Sequence, residues 1–501
     1  MHTGGLIVDP GSNKGPHMIE SYLLKHLAGY IDGQWVEADS GETAEVFNPA
    51  NSKQLAAIPY MKAAETKRAI AAAKAALPHV PDVATRREWL EDMRDALLDE
   101  KEEIGRILCL EHGKPWKEAQ GEVEYAASFF DYHAGMMEEA LAPEVLPQKA
   151  KDCTWTVHKR SIGVAGLITP WNFPIGMIAK KIAPAIAAGC PTVTKPATET
   201  PLTMIAMFQL MHERLDLPKG MVNLVMGSSK DIGGELMSSP DVPMISFTGS
   251  TGVGQLLIEQ SKDWVKKLGL ELGGNAPFIV LDDADLDSAA DHLIANKFRG
   301  GGQTCVCANR IYVQSSVYDE FSKKVIDRVK ALKVGDGMDE DVNVGPLINA
   351  AGFDKVKDHV QDALSKGAKL EVGKHPDELD SDKSLFYSPT VITDVTHDMK
   401  CCTDETFGPL VPLIKFDTDE EALKLGNQTE FGLASYVFGK DEARAHKIIA
   451  NLHFGHCGFN TGTGPAAHAP FGGMLQSGVG REGGHDGLME YIELQTVPSA
   501  D

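Results

Sequence analysis

Gly300-Gly301-Gly302-Gln303-Thr304-Cys305-Val306-Cys307 sets a glycine run ahead of a cysteine at what reads as the start of a helix. A helix N-terminus favours thiolate and glycines let a substrate approach the backbone, so Cys305 is a candidate nucleophile. The same pattern also fits a small buried cysteine beside a flexible turn. In Glu271-Leu272-Gly273-Gly274-Asn275 an acidic residue follows an apolar strand and enters a glycine turn. Desolvated there, Glu271 would titrate upward and serve as a general base; a solvated loop glutamate is the alternative. The prolines of Thr169-Pro170-Trp171-Asn172-Phe173-Pro174 fix a loop that could aim the Asn172 amide at a developing oxyanion, or simply make a turn. Phe247-Thr248-Gly249-Ser250-Thr251-Gly252-Val253-Gly254 is not a GxGxxG motif. A helix N-terminus with the Ser250 hydroxyl can still hold a pyrophosphate, and an ordinary strand-to-helix turn fits equally. Lys195 ends another strand, where ligands of open parallel sheets gather, unless it is merely solvated.

These residues need strand ends to carry them. Helical spacing runs from Ala63 to Leu77 and from Thr85 to Glu111, so the chain is expected to open with surface-packed helices. After Cys153 the texture alternates: strand Ile162–Ile168, helix Ile175–Ala188, strand Pro191–Thr194, helix Thr203–Leu215, then strands Val222–Val225 and Met244–Phe247. That order predicts a parallel sheet with helices on both faces. A second series has strands at Phe278–Leu281, Arg310–Val313, Lys369–Val372, Leu410–Phe416 and Ala434–Phe438. Thr154–His158 and Tyr491–Val497 read as an arm or edge ribbon that needs a partner surface.

With 501 residues, 43% of them hydrophobic, the chain has material for two or more cores. Its 48 Lys plus Arg against 71 Asp plus Glu give a net charge of −23, which argues against nucleic acid and acidic membranes as partners. The most apolar stretch, 175–193, is interrupted by Lys180, Lys181 and Pro184, so no membrane span is expected. Eight cysteines without CxxC pairs predict neither a disulfide scaffold nor a metal site and fit the cytoplasm. Residues 1–18 read as a leader or tag, with Gly15-Pro16-His17-Met18 as its remnant.

In this order the segments resemble the aldehyde dehydrogenase superfamily from about residue 31 to residue 497, and Gly302–Arg310 and Glu271–Pro277 look most like its succinate-semialdehyde dehydrogenase branch. The resemblance implies an α/β fold with a Rossmann-like cofactor domain (19–148 and 162–271), an α/β catalytic domain (272–484) and a small β oligomerisation arm (149–161 and 485–501). By position it implies Cys305 as nucleophile, Glu271 as base, Asn172 with the Cys305 amide as oxyanion hole, and Lys181 with Glu482 as a proton relay. Cofactor contacts are implied at Thr169, Pro170, Trp171, Lys195, Ala197, Thr198, Gly227, Asp231, Phe247, Gly249, Ser250, Gly254, Leu272, Glu405 and Phe407. Relatives that require NAD often have Glu where Thr198 stands; a neutral residue beside Lys195 favours NADP, or use of both cofactors.

The branch holds a distal carboxylate with two arginines and a serine, which implies substrate contacts at Lys180, Arg299 and Ser477, with Phe173 and Phe471 as aromatic walls. Lys180 stands where the branch has arginine and keeps the charge without the planar fork. The implied reaction is NAD(P)-dependent oxidation of a small aldehyde with an anionic tail, succinate semialdehyde first, by a homodimer or homotetramer. Glutarate semialdehyde, a sulfonated aldehyde or a broad aldehyde range are alternatives within the family, and a cofactor-independent cysteine esterase is the alternative outside it. Cys307, two residues from the nucleophile, invites a redox-switch reading, against which the tight C-x-C ring weighs.

Overall fold

Short β-branched runs between Gly- and Pro-marked turns become strands buried on both faces, the burial that parallel sheets require. The computed structural model describes residues 19–147 and 153–500; the expected leader and residues 149–152 of the expected arm lie outside these. The first sheet runs in the order Gln34–Val36, Gly29–Ile31, Val222–Leu224, Thr192–Lys195, Ala165–Ile168, Met244–Thr248, Lys267–Glu271, Gly478–Val479. Its five central strands are parallel, and the outer ones join them antiparallel. From Ala165–Ile168 the chain winds outward one way through the next two strands. It then returns to Met244–Thr248 on the other side, which creates a topological switch point between these neighbours.

The second sheet has the order Lys369–Val372, Thr390–Thr393, Leu410–Phe416, Ala308–Gln314, Ala276–Val280, Ala434–Phe438, His456–Phe459, parallel except at the Lys369 edge. Separate apolar clusters fill its two faces. A larger cluster joins the first sheet to helices Trp116–Leu141, Pro174–Ala188 and Leu202–Arg214. Every residue of helix Pro174–Ala188 is buried, Lys180 and Lys181 included. No helix among the described residues is long and apolar enough to cross a membrane.

The structure corrects several expectations. Among the described residues, a 3₁₀ turn at Tyr22–Leu24 and the strands Gly29–Ile31, Gln34–Val36, Thr43–Phe47 and Gln54–Pro59 precede the first long helix, so the expected helices 63–77 and 85–111 do not come first. Each has only three to six residues, too few to establish a period. The helical stretch 85–111 is two helices, Val83–Asp99 and Lys101–His112, parted where Glu100 leaves helical dihedrals at φ −100°, ψ 15°. Ile492–Ala500 pairs antiparallel with Cys153–Ser161 along nine residues, and Val145 and Leu494 beside this ribbon remain largely exposed.

Gly478–Val479 crosses from the second half of the chain to pair with Leu270 and Glu271. Gly478 sits at φ +131°, and a Cβ there would stand 1.9 Å from the Leu270 carbonyl oxygen. Gly478→Ala is therefore expected to destabilise by about 1–3 kcal/mol through backbone strain. Gly135→Ala, in an exposed helical position with open space around it, should leave the thermal midpoint unchanged or raise it. Parallel thermal melts of the two variants check the contrast.

Candidate active site

The strands flanking the switch point end at Ile168 and Thr248, and the chain turns there into the loop 169–173 and the Gly249-Ser250 pair. Gly249 donates its N–H to the Glu271 carbonyl at 3.0 Å. A Cβ on Gly249 would stand 2.4 Å from the tip of the Phe247 ring, which would have to shift to admit it. The adjacent strand Lys267–Glu271 delivers Glu271 to the same edge.

Cys305 does not begin a helix, contrary to expectation. It lies in a turn between a 3₁₀ segment, Arg299–Gly302, and the strand Ala308–Gln314. Gly300, Gly301 and Gly302 all have positive φ, and a Cβ on Gly302 would stand 2.3 Å from the Gly408 oxygen. The turn is pinned where the Tyr436 hydroxyl donates to the Val306 carbonyl at 2.7 Å and the Ala308 N–H donates to Asn296 Oδ1 at 2.7 Å. With no helix dipole behind it, the Cys305 thiol is not lowered. Burial, with the charge of Glu405 added, pushes it up to about 12.

Two cavities meet at Cys305. One, of about 270 Å³, is lined by Phe173, Lys180, Glu271, Arg299, Thr304 and Phe471 among others. The second, of about 360 Å³, opens at the switch point between Trp171, Asn172, Ser250, Leu272, Glu405 and Phe407. Cys305, Met177 and Thr248 belong to both walls. The Asn172 amide donates to the Gln303 carbonyl at 3.0 Å, which holds it against the cysteine turn.

Both carboxylate oxygens of Glu271 are buried without a hydrogen-bond partner among the described residues. Burial, reinforced by the negative charge of Glu482, raises its carboxyl to about 8. Glu482 itself is held ionised against its burial by Lys180 and Lys181. Lys180 Nζ stands 2.8 Å from one oxygen, and Lys181 Nζ bonds the other while donating to Ser246 Oγ at 3.0 Å.

The second cavity suits a dinucleotide. The helix Thr251–Gln260 starts at Ser250 with no side chain capping its first-turn amides, so these remain free for a phosphate. The buried hydroxyls of Thr169 and Thr248 lack partners among the described residues. Pro170, Gly249 and Leu272 line the wall, and Phe407 meets Trp171 edge-on at 5.6 Å. Glu405 accepts the Gly274 N–H at 3.1 Å, and burial raises its carboxyl to about 7. Gly254 packs under Leu272 of the wall, where a Cβ would stand 2.5 Å from Leu272 Cδ2. Of the expected cofactor contacts, Thr169, Lys195, Ala197, Thr198, Gly227, Asp231, Phe247 and Gly254 lie outside the lining of this cavity. Lys195 Nζ donates to the Pro196 carbonyl, and burial lowers its ammonium to about 8. Gly227 packs on Met61, and Asp231 donates its N–H to the Ser228 hydroxyl.

Among the expected substrate contacts, Arg299 lines the first cavity over the Phe173 ring, with Nε buried and unpartnered among the described residues. Lys180 lines it too, over the Phe471 ring, but Glu482 occupies its charge. Ser477 is a correction. It is fully buried outside the cavity, where its hydroxyl donates to the Gly273 carbonyl at 2.6 Å and accepts the Gly432 N–H at 2.9 Å, so backbone partners saturate it. Cys307 is a free thiol whose sulfur lies 3.4 Å from the Gly302 oxygen and 3.6 Å from Lys297 Nζ. Glu118 and Tyr125, which also line the cavity, were not foreseen. The spacing of Glu118, Glu122 and Tyr125, one helix face on Trp116–Leu141, is the signal that could have found them.

The model of the aldehyde dehydrogenase family matches residues 35–497. A 3-sulfolactaldehyde dehydrogenase of Pseudomonas putida is 46% identical, across 95% of this chain and 97% of its own. A glutarate-semialdehyde dehydrogenase of Pseudomonas aeruginosa is 44% identical across 93% and 96%. The succinate-semialdehyde dehydrogenase (NADP(+)) of Escherichia coli is 44% identical across 95% and 98%. Among solved structures, an oxidoreductase from Marinobacter aquaeolei superposes with a TM-score of 0.94 at 60% identity, covering 96% of this chain and all of its own.

A carboxyl raised to about 8 can act as a base only above that pH, so any help it gives to ionisation of Cys305 falls on the alkaline side. Alkylation of Cys305 by iodoacetamide, followed by peptide mapping, is expected to accelerate as pH rises through about 8. In Glu271→Gln that rise should shift toward the titration of the thiol itself. An unchanged profile in the variant would separate the two groups.

Proposed function

The chain belongs to the aldehyde dehydrogenase family, and from that premise we propose that it oxidises a small aldehyde with an anionic tail to the carboxylic acid, with NADP or NAD as hydride acceptor. The observation that carries this reading is the place of Cys305 in the common wall of two cavities, one suited to a short anionic molecule and one to a dinucleotide.

In this reading ionised Glu271 takes the Cys305 proton, and the sulfur forms a bond to the aldehyde carbon. The carbonyl electrons move onto oxygen, where the Asn172 amide and the Cys305 N–H receive the developing charge. The bound nicotinamide supplies the acceptor for the hydride leaving that carbon. Once it has passed that proton on, Glu271 takes one from water, the water oxygen adds to the thioester carbon, and the C–S bond breaks to release the acid and leave Cys305 as thiolate. In this reading Glu482, the carboxylate whose charge acts on Glu271 and which Lys180 and Lys181 hold, would take up the proton that Glu271 gives away. Ser250 and Trp171 would hold the pyrophosphate, Lys195 the adenosine ribose, and Glu405 with Phe407 the nicotinamide ribose and ring. Thr198 is neutral, which favours NADP, and the charge of the adjacent Glu199, which acts on Lys195, works against that preference.

Arg299 supports an anionic tail, since its guanidinium fork suits carboxylate or sulfonate. Succinate semialdehyde is the first substrate on this reading. Lys180 is engaged by Glu482 and Ser477 is remote, so the tail rests on Arg299, and glutarate semialdehyde or 3-sulfolactaldehyde meets the same requirement. Eight sparse cysteines without CxxC pairs fit a reducing compartment, the cytoplasm. The ribbon of 153–161 and 492–500 supports a homodimer or homotetramer built by pairing between subunits.

The test is reduction of NADP+ and NAD+ with succinate, glutarate and sulfonated semialdehydes and an uncharged aldehyde of similar length, with Cys305→Ala as the inactive control. Turnover of the anionic aldehydes, better with NADP+, is the expected result; no reduction with any aldehyde would sink the reading. Arg299→Met should raise KM for anionic aldehydes about ten- to a hundredfold and leave the uncharged one nearly unchanged. Deleting 491–501 should reduce the sedimentation coefficient to that of a smaller assembly.

A further inference from the structure

Lys114 is almost wholly buried, far from the chemistry in sequence, and pairs with the equally buried Glu122. Its Nζ also donates to the backbone carbonyl of Asn172 at 2.9 Å and lies 4.2 Å from the centre of the Phe173 ring. Glu122 turns its other oxygen to the N–H groups of Ile175 and Gly176, both at 3.1 Å, in the first turn of helix Pro174–Ala188. One ion pair therefore grips residues 172–176 by a carbonyl, a ring and two amides. No other side chain is recorded on the Asn172 carbonyl among the described residues.

The grip is referenced to the opposite half of the molecule. Lys114 sits in the turn between helices Lys101–His112 and Trp116–Leu141, and that turn is wedged against the loop before Ala350. Trp116 donates its N–H to the Gly337 carbonyl at 2.8 Å, and a Cβ on Gly337 or Gly345 would stand 2.3 Å from the Lys114 oxygen or 1.9 Å from the Gly113 oxygen. The Asn172 amide is itself bonded to Gln303, two residues before Cys305. We propose that Lys114 is a positioning residue for the oxyanion site: through the Asn172 backbone it sets where the Asn172 amide stands relative to Cys305. Glu122 is its counter-charge and the anchor of the following helix. This rests on the aldehyde-oxidising reading above.

Positioning and mere stability are separable. Lys114→Met strips the carbonyl of its donor and strands a buried carboxylate; Lys114→Met with Glu122→Gln removes the stranded charge as well. Lys114→Arg keeps a cation that can reach both groups. The assays are steady-state kinetics with the best aldehyde found for the wild type, KM for the nicotinamide, and thermal melts with and without it. The expected result is a kcat about ten- to a hundredfold lower in Lys114→Met, with KM for the cofactor and its stabilising shift retained. The double variant should recover thermal stability but not kcat, and Lys114→Arg should recover part of kcat. Wild-type kcat in Lys114→Met, or recovery of kcat along with stability in the double variant, would overturn the proposal. A wild type that reduces neither cofactor with any aldehyde rejects the underlying reading instead, and the proposal falls with it.

Discussion

Glu482 is held between two lysines of one buried helix, and much of the site depends on that attraction. A carboxylate and two ammonium groups removed from water are tolerable only together, because each alone would carry a large desolvation cost. Holding Glu482 in place also holds Phe471, since the two residues exchange backbone hydrogen bonds at 2.8 Å in each direction. The aromatic wall of the first cavity is thus tied to helix Pro174–Ala188 from the far end of the chain. The same cluster removes Lys180 from the role of a free anion receptor and leaves Arg299 as a cation facing that cavity with no ion pair among the described residues, although the charge of Glu118 acts on it.

Desolvation governs the reacting groups as well. Cys305 and Glu271 are both pushed toward their neutral forms, the thiol to about 12 and the carboxyl to about 8. Neither carries its charge cheaply in a dry cavity, so ionisation is deferred until the pH or a bound molecule changes the balance. A thiol guarded in this way is less prone to adventitious oxidation than one lowered by a helix dipole. The positive-φ glycines ahead of Cys305 serve the bend of the turn and its close passage under Gly408.

Much of the fold was legible in the chain. Strands such as Leu410–Phe416 and Ala434–Phe438 stand where mostly apolar runs between turns indicate them, because strands buried on both faces must be largely apolar. The structure pairs 153–161 with 492–500, where an arm or ribbon was foreseen from the alternation at 154–158 and the isolated strand at 491–497. The short opening strands were not, since so few residues carry no period, and the break at Glu100 was hidden by a helical spacing that continues across it. In the site, Cys305, Glu271, Asn172, Glu405 and Phe407 were all singled out and now surround two joined cavities.

Residue types and local spacing are covalent facts, so the sequence by itself determined which groups could react, where turns must fall and which segments must be buried. It also carried enough motif in register to identify the family. Whether a charge is free or already engaged is a matter of what lies within a few ångströms, and residues hundreds of positions apart decide it. Hence Lys180 was readable as a cation but not as the partner of Glu482, and Ser477 as a hydroxyl but not as one saturated by Gly273 and Gly432. For the same reason Lys114 attracted no notice until folding set it against Asn172. Only the tertiary structure decides such pairings, because Coulombic and hydrogen-bond energies depend on distance and burial rather than on order along the chain.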